Sequence, residues 1–532
     1  MKRLILWALA LCAALTVTAA AAAGDNDSGF HTSTPAMLTP LSPGSSVKPI
    51  ISVGDTVGGY TFESIPDGIS LTTNGRGTTD VYVNHENSKV PFPATRSDFT
   101  NALVSKLRLN QHSAGVLKGE YAIPSSAGYQ RFCSNFLVGP AQGFDRELVF
   151  TNEEARDIVL RQEDSWHPPA VAPTEPGAEQ AGVVVAYDVK SGSFHSIYGM
   201  GRHNHENSVG VPGYGHPVVL SGDDTFDAPA SQLYLYSAPS GDAVWNDEGT
   251  LYALVSDNAA VNDYGDLAQG GPGVSAHFVA VPRMVATGKR PDGRDVTSAD
   301  LGYPAPPAGS GIPDGPQWVL EHWSHNIARA FQFIRVEDIA YDRNTPNVVY
   351  FADTGEPRAI PDGAGRLRRG PSGTRGEFMN GRIFKLVLDP SNPLAGTLSV
   401  LWNADAGGYN NPASIHQPDN VETTATGLLI TEDPGSHNQG AVNGYAKIWR
   451  LPLPSGVPVP VAQVNQSLRP DLPIGSWESS GIVDASAAFG PGAFLVDVQA
   501  HGFEIATAPS PFPGVTYMRE NGQLMLLRLP GA

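Results

Sequence analysis

Apolar and polar residues alternate along much of this chain, most clearly over residues 331–355, FQFIRVEDIAYDRNTPNVVYFADTG. An apolar stretch runs into Arg335-Val336-Glu337-Asp338, a polar turn follows, and Val348-Val349-Tyr350-Phe351 reads as a second strand. Alternation bounded by Asp, Asn, Pro and Gly is a β-hairpin pattern. The same grammar recurs in VVVAYDVKSGSFHSIY, SQLYLYSAPSGDAVWNDEGTLYALV and GRIFKLVLDPSNPLAGTLSVLW. Further strand-like runs fall at 60–65, 79–83, 105–109, 148–150, 218–221, 427–431, 446–451, 481–482 and 493–498. Helical periodicity is scarce and no strict repeat period can be read. Many hairpins of this kind predict an all-β fold, a propeller ahead of a large β-sandwich. Long Pro/Gly/charged stretches at 157–179, 282–316 and 355–377 read as loop insertions around a site.

The first residues change the picture of where the chain works. Met1-Lys2-Arg3, an apolar run over 4–17 and alanines before Gly24 read as a signal peptide over 1–23. No later run approaches the roughly 18 apolar residues that span a bilayer, so no stable membrane insertion is expected. Residues 24–48, rich in Ser, Thr and Pro, read as a loosely ordered arm, and 49–532 as a single propeller domain. The expected address is periplasmic or extracellular, and the expected state a monomer. The net charge of −19 argues against nucleic acid and anionic membranes as partners. Cys12 lies in the signal, which leaves Cys133 as the one thiol of an exported chain. Such a thiol is either buried or engaged by a metal.

Seven short polar clusters sit at or beside strand ends. They are Asn84-His85-Glu86, Thr151-Asn152-Glu153-Glu154, His205-Glu206-Asn207, Gly222-Asp223-Asp224, Arg335-Val336-Glu337-Asp338, Pro418-Asp419-Asn420 and Glu432-Asp433. Adjacent carboxylates repel unless solvated or neutralised, and a hard cation wants six to eight oxygen ligands. Strand ends of successive propeller blades converge on a central channel, so acids far apart in sequence are expected to share a calcium-type site there. His85 and His205 are expected to be structural rather than ligands, since calcium prefers oxygen.

GMGRHNHENSVG, then VVLSGDD with SQLYLYSA, then FIRVEDIAYD with VVYFADTG, then HQPDNVETTATGLLITEDPG, in that order, resemble the PhoX family of secreted alkaline phosphatases. The resemblance implies a six-bladed β-propeller whose channel holds calcium and iron and hydrolyses small-molecule phosphate monoesters. Carried over, it places Glu206, Asp223 or Asp224, Glu337, Asp419 and the pair Glu153 and Glu154 among the metal ligands. Cys133 would be the thiolate on iron, and Arg335 and Asn84 would contact phosphate. An arginine fork matches the paired oxygens of a phosphate. The attacking oxygen would be held by the metals rather than by a side chain. The absence of G-x-S-x-G, Walker A and H-E-x-x-H patterns agrees with that. Lys2-Arg3 departs from the twin-arginine export typical of the family. Two alternatives use the same carboxylates: a calcium-dependent propeller lactonase, and a non-catalytic calcium-stabilised binding propeller. The lactonase has no need of a thiolate or a phosphate-gripping arginine, and in the binding propeller an exposed Cys133 free of metal would be a liability.

Overall fold

The computed structural model describes residues 28–532 apart from 93–94, 162–169, 226–230, 363–365, 410 and 436–443. The expected signal peptide therefore lies outside the described residues. Six four-stranded antiparallel units account for most of the strands. Blade 1 is Pro66–Gly75, Thr78–His85, Leu103–Asn110 and Val116–Ile123. Blade 2 is Phe132–Val138, Leu148–Glu153, Val184–Asp188 and Phe194–Ile197. Blade 3 is His205–Gly210, Val218–Asp223, Leu233–Ser237 and Thr250–Ser256. Blade 4 is Val336–Tyr341, Val348–Asp353, Arg382–Asp389 and Asn392–Asn403. Blade 5 is Pro418–Thr423, Gly427–Glu432, Lys447–Pro452 and Val459–Val464. Blade 6 takes Glu478–Asp484, Ala493–Pro509 and Thr516–Arg528 from the C-terminus and Ser46–Ser52 from the N-terminus. The first strands of successive blades pack against one another in a closed ring, blade 6 returning to blade 1. This is the expected all-β, six-bladed propeller.

Near-continuous apolar runs along the middle strands, such as Val184–Asp188, Leu233–Ser237 and Val348–Asp353, give the sheets two apolar faces, and each must be covered by a neighbouring blade. Six buried clusters do this, one in each space between blades. Between blades 3 and 4, for example, Val209, Leu220 and Leu235 meet Phe333, Phe351 and Phe384. Burial of each such side chain stabilises by roughly 1.5–3 kcal/mol. Val274–Ala280 pairs with the last strands of both blade 3 and blade 4 and joins them into one sheet. The insertion at 282–316 carries the short helices Arg283–Thr287 and Ser298–Leu301. That at 355–377 carries a small hairpin of Ala359–Pro361 and Leu367–Arg369.

The N-terminal arm departs from expectation. Leu38–Pro40 adds a fifth strand to blade 5 against Ala462–Val464, and Ser46–Ser52 pairs with the C-terminal strand over Gln523–Arg528. Serine, threonine and proline there suit an outer strand: Pro49 lies where the ladder slips a register, so its missing N–H costs no bond. Ile50 and Ile51, both fully buried, anchor it between blades 6 and 1. Ile51→Ala is therefore expected to lower unfolding free energy by about 2–5 kcal/mol. Guanidinium unfolding reads this directly, and an unchanged midpoint would show that the N-terminal strand does not hold the ring.

Candidate metal centre in the propeller channel

One local irregularity builds the channel. In every blade the first strand slips register against the second near its start, so that two residues oppose one. A bulge of this kind re-aims side chains. The paired residues are Asp67-Gly68, Cys133-Ser134, Glu206-Asn207, Glu337-Asp338, Asp419-Asn420 and Ser480-Gly481. The first member of the pair in blades 1 to 5 lines a cavity of about 590 Å³, and Ser480 Oγ donates to Asp67 at 2.7 Å.

The second member turns sideways to the next blade. Ser134 Oγ donates to Glu206 at 2.8 Å, Asn207 donates to Asp338, and Asp338 accepts from the Val421 N–H at 3.1 Å. At Gly68 and Gly481 the neighbour comes closer still: a Cβ would lie 2.3 Å from Asn135 N and 2.6 Å from Asp67 O. Ile65, Arg131 and Gln417, each two residues ahead of a bulge, hold left-handed φ of 48°, 43° and 47°. Such strain costs of order 1–3 kcal/mol per residue and persists where the surroundings impose it.

A second layer comes from the ends of the second strands, where the paired acids divide labour. The residue facing the bulge start ties down backbone. Glu153 accepts from the N–H groups of Gln130, Gly182 and Val183 at 2.8, 3.0 and 3.2 Å, and from Arg161 through both carboxylate oxygens. Asp353 accepts from Ile334, Arg335 and Gly355, and Glu432 from His416, Lys447 and the Trp449 ring. The following residue faces the channel: Glu86, Glu154, Asp224 and Asp433 all line the cavity.

The residues expected at the site are thus partly brought together. Cys133, Glu154, Glu206, Asp224, Arg335, Glu337 and Asp419 line one cavity. Glu153 stands behind the wall. Asp223 does too, accepting from Thr225 at 2.5 Å. Asn84 is committed to Cys133 O at 2.6 Å and Ser134 O at 3.1 Å, so it braces the bulge of blade 2. His85 and His205 are held by Ser64, Ser105, Ser221 and Gly201, as structural histidines are. The reading missed Asp67, whose Asp-Gly sequence looks like a turn. Glu86 and Asp433, from two of the seven clusters expected to share a cation site, line the same cavity, as do Glu478 and His501, to which the reading gave no role. Glu86 and Asp433 each follow a strand end, a signal that the sequence did carry.

Three sets of donors lie within 4.8 Å of one another: Asp67, Glu86 and Cys133; Cys133, Glu154 and Glu206; Glu206, Glu337 and Asp419. Cys133 and Glu206 are each shared, so the sets form a chain across the channel. Cys133 Sγ lies 3.0 Å from Asp67 Oδ2. Arg335 forks onto Asp224 at 2.6 and 2.8 Å and reaches Glu337 at 3.4 Å. Burial, then mutual repulsion, pushes Glu206, Glu337 and Asp419 well above the usual carboxylate range. Burial and the Asp67 charge lift Glu86 to about 7, and burial raises the Cys133 thiol. A cation reverses that logic by favouring every ionised donor at once. The donor set fits hard cations on oxygen, with one softer sulfur position at Cys133.

Three outcomes follow for protein stripped of cations. Carboxylates with folded pKa above the unfolded value, near 4.3 for Glu, stabilise fully below that value and lose the contribution as pH rises through the folded one. With Glu86 at about 7, urea midpoints in chelator are expected to fall between pH 5 and 8 and to recover on adding calcium. A rise over that range would contradict the electrostatics described. Glu153→Ala leaves the Gln130, Gly182 and Val183 N–H groups without this acceptor and Arg161 with Glu179 as its one carboxylate partner among the described residues, and is expected to cost about 3–5 kcal/mol with or without chelator. Glu154→Gln removes only a repelled charge, so its chelated form should unfold no earlier than wild type at pH 8.

No family model matches the chain, and no curated protein matches it in sequence. Among solved structures the chain is similar to Pseudomonas fluorescens PhoX in complex with vanadate, a transition state analogue. The TM-score is 0.57 at 16% identity, over 94% of this chain and 98% of that one. It is also similar to the NanB sialidase from Streptococcus pneumoniae, at TM-score 0.37 and 6% identity over 90% of this chain and 70% of that one. At such identities a likeness speaks for architecture alone, and the one with PhoX shows that this chain has its fold.

Proposed function

We propose that the protein is a secreted phosphomonoesterase whose channel binds calcium and iron. The observation that carries this reading is the chain of carboxylates around one thiol, open to a cavity whose described wall holds Arg335. The fold shared with PhoX, which in that structure binds vanadate, supports it. A calcium-dependent lactonase or a binding propeller would have no use for the thiol or the arginine.

In this reading Cys133, with Glu154 and Glu206, holds iron, while Asp67 with Glu86 and Glu337 with Asp419 hold calcium. Bound there, the cations supply charge neutralisation and a lowered water pKa. The chain's own residues do the rest. Arg335, fixed by Asp224 and Glu337, is held rigid at the cavity wall to orient the phosphate oxygens. A preset donor of this kind costs no reorganisation at the moment of reaction. Asn84 acts as a positioning residue: its amide grips the two carbonyls around Cys133 and sets the direction of the thiol. Asp224 takes part through Arg335, as the acid that fixes the guanidinium.

Metal content by mass spectrometry and hydrolysis of 4-nitrophenyl phosphate on the same samples test this. Cys133→Ser is expected to lose iron and activity together, keeping calcium. Arg335→Lys is expected to keep both metals and to lose about 10²–10³ in kcat/KM. Calcium alone in the wild type, with Cys133→Ser indifferent, would remove the phosphatase reading and leave the lactonase and binding propellers.

A further inference from the structure

The floor of the cavity is carboxylate, thiol and guanidinium, yet its mouth is apolar. Leu472, Pro473 and Ile474, from the loop between blades 5 and 6, line it on one side. Phe92, from the connection between the second and third strands of blade 1, lines it on another. Among the described residues eight large hydrophobic side chains are exposed; Phe92 at 76% is the most exposed of them, and Ile474 stands at 52%. Single exposed apolar residues need no explanation, but two from separate blades meeting on one cavity do. Phe92 also lines an adjoining chamber of about 730 Å³ with Val90 and Met518, and the Arg131 guanidinium sits 5.7 Å from its ring centre. Arg131 is itself paired with Asp157, so the ring is braced from a fixed neighbour.

A phosphoryl group bound at the charged floor leaves its alcohol pointing to this mouth. We propose that Phe92 and Ile474 form the platform on which the alcohol half of the ester packs, and that the site selects esters of aryl and other flat, apolar alcohols. The proposal rests on the phosphomonoesterase reading and adds its substrate class. A polyol keeps its own water and covers little apolar surface, whereas a fused ring covers more of both apolar side chains. Neither residue belongs to the metal-holding or phosphate-orienting set, so basal chemistry does not depend on them.

The test compares calcium- and iron-loaded wild type, Phe92→Ala and Ile474→Ser on 1-naphthyl phosphate and glycerol 2-phosphate. Binding of non-hydrolysable 1-naphthylmethylphosphonate is measured by calorimetry on the same proteins. Phe92→Ala is expected to lose about tenfold in kcat/KM on the naphthyl ester and less than about twofold on the glycerol ester. Ile474→Ser should shift the ratio the same way by a smaller factor. A parallel fall on both esters, or none on either, overturns the platform. If the wild type cleaves neither ester, the phosphatase reading fails. Weaker phosphonate binding in Phe92→Ala would then still uphold the platform, and unchanged binding would overturn it.

Discussion

An extended strand sends alternate side chains to its two faces, and in a propeller both faces belong to neighbouring blades. A strand in perfect register has no direction left for the central axis. The bulge near the start of each first strand supplies one, and the rest of the site depends on it. A single inserted residue turns one side chain into the channel and the next toward the adjoining blade, so the step that exposes a donor also locks the ring. Strain and site meet in the same few residues: the carbonyls of the left-handed Ile65, Arg131 and Gln417 accept from the N–H groups of the channel-facing acids Glu86, Glu154 and Asp433.

The doubled acids make the same point at the ends of the second strands. In Glu153-Glu154 and Glu432-Asp433 the first carboxylate collects backbone N–H groups that the irregular ladder leaves without strand partners. The second then inherits a fixed backbone and faces the channel. Adjacent like charges are therefore a division between scaffold and cavity wall.

This division explains what could be read from the sequence. Third strands such as 183–187, 232–236 and 382–388 are mostly unbroken apolar runs and were legible, as were the acidic clusters. The first strands of blades 1, 2, 3 and 5 were not, because a bulge breaks the period of two and their residues are polar, short or glycine. Asp67 hid in an Asp-Gly pair. Residue type alone could not divide Glu153 from Glu154 or Asp223 from Asp224; strand phase does, and it requires the pairing partner. The N-terminal strand hid for another reason: its partner lies at the far end of the chain, and its Ser/Thr/Pro composition is that of an edge.

That seam sets a condition on timing. Blade 6 is completed by residues from both ends, and the hydrogen bond from Ser480 to Asp67 crosses from the last blade to the first beside the donor set. A chain emerging from its N-terminus holds Asp67, Glu86 and Cys133 early, with the wall that completes their enclosure still unmade. A cation site spanning the whole channel would therefore be complete only once the beginning and the end of the chain have met.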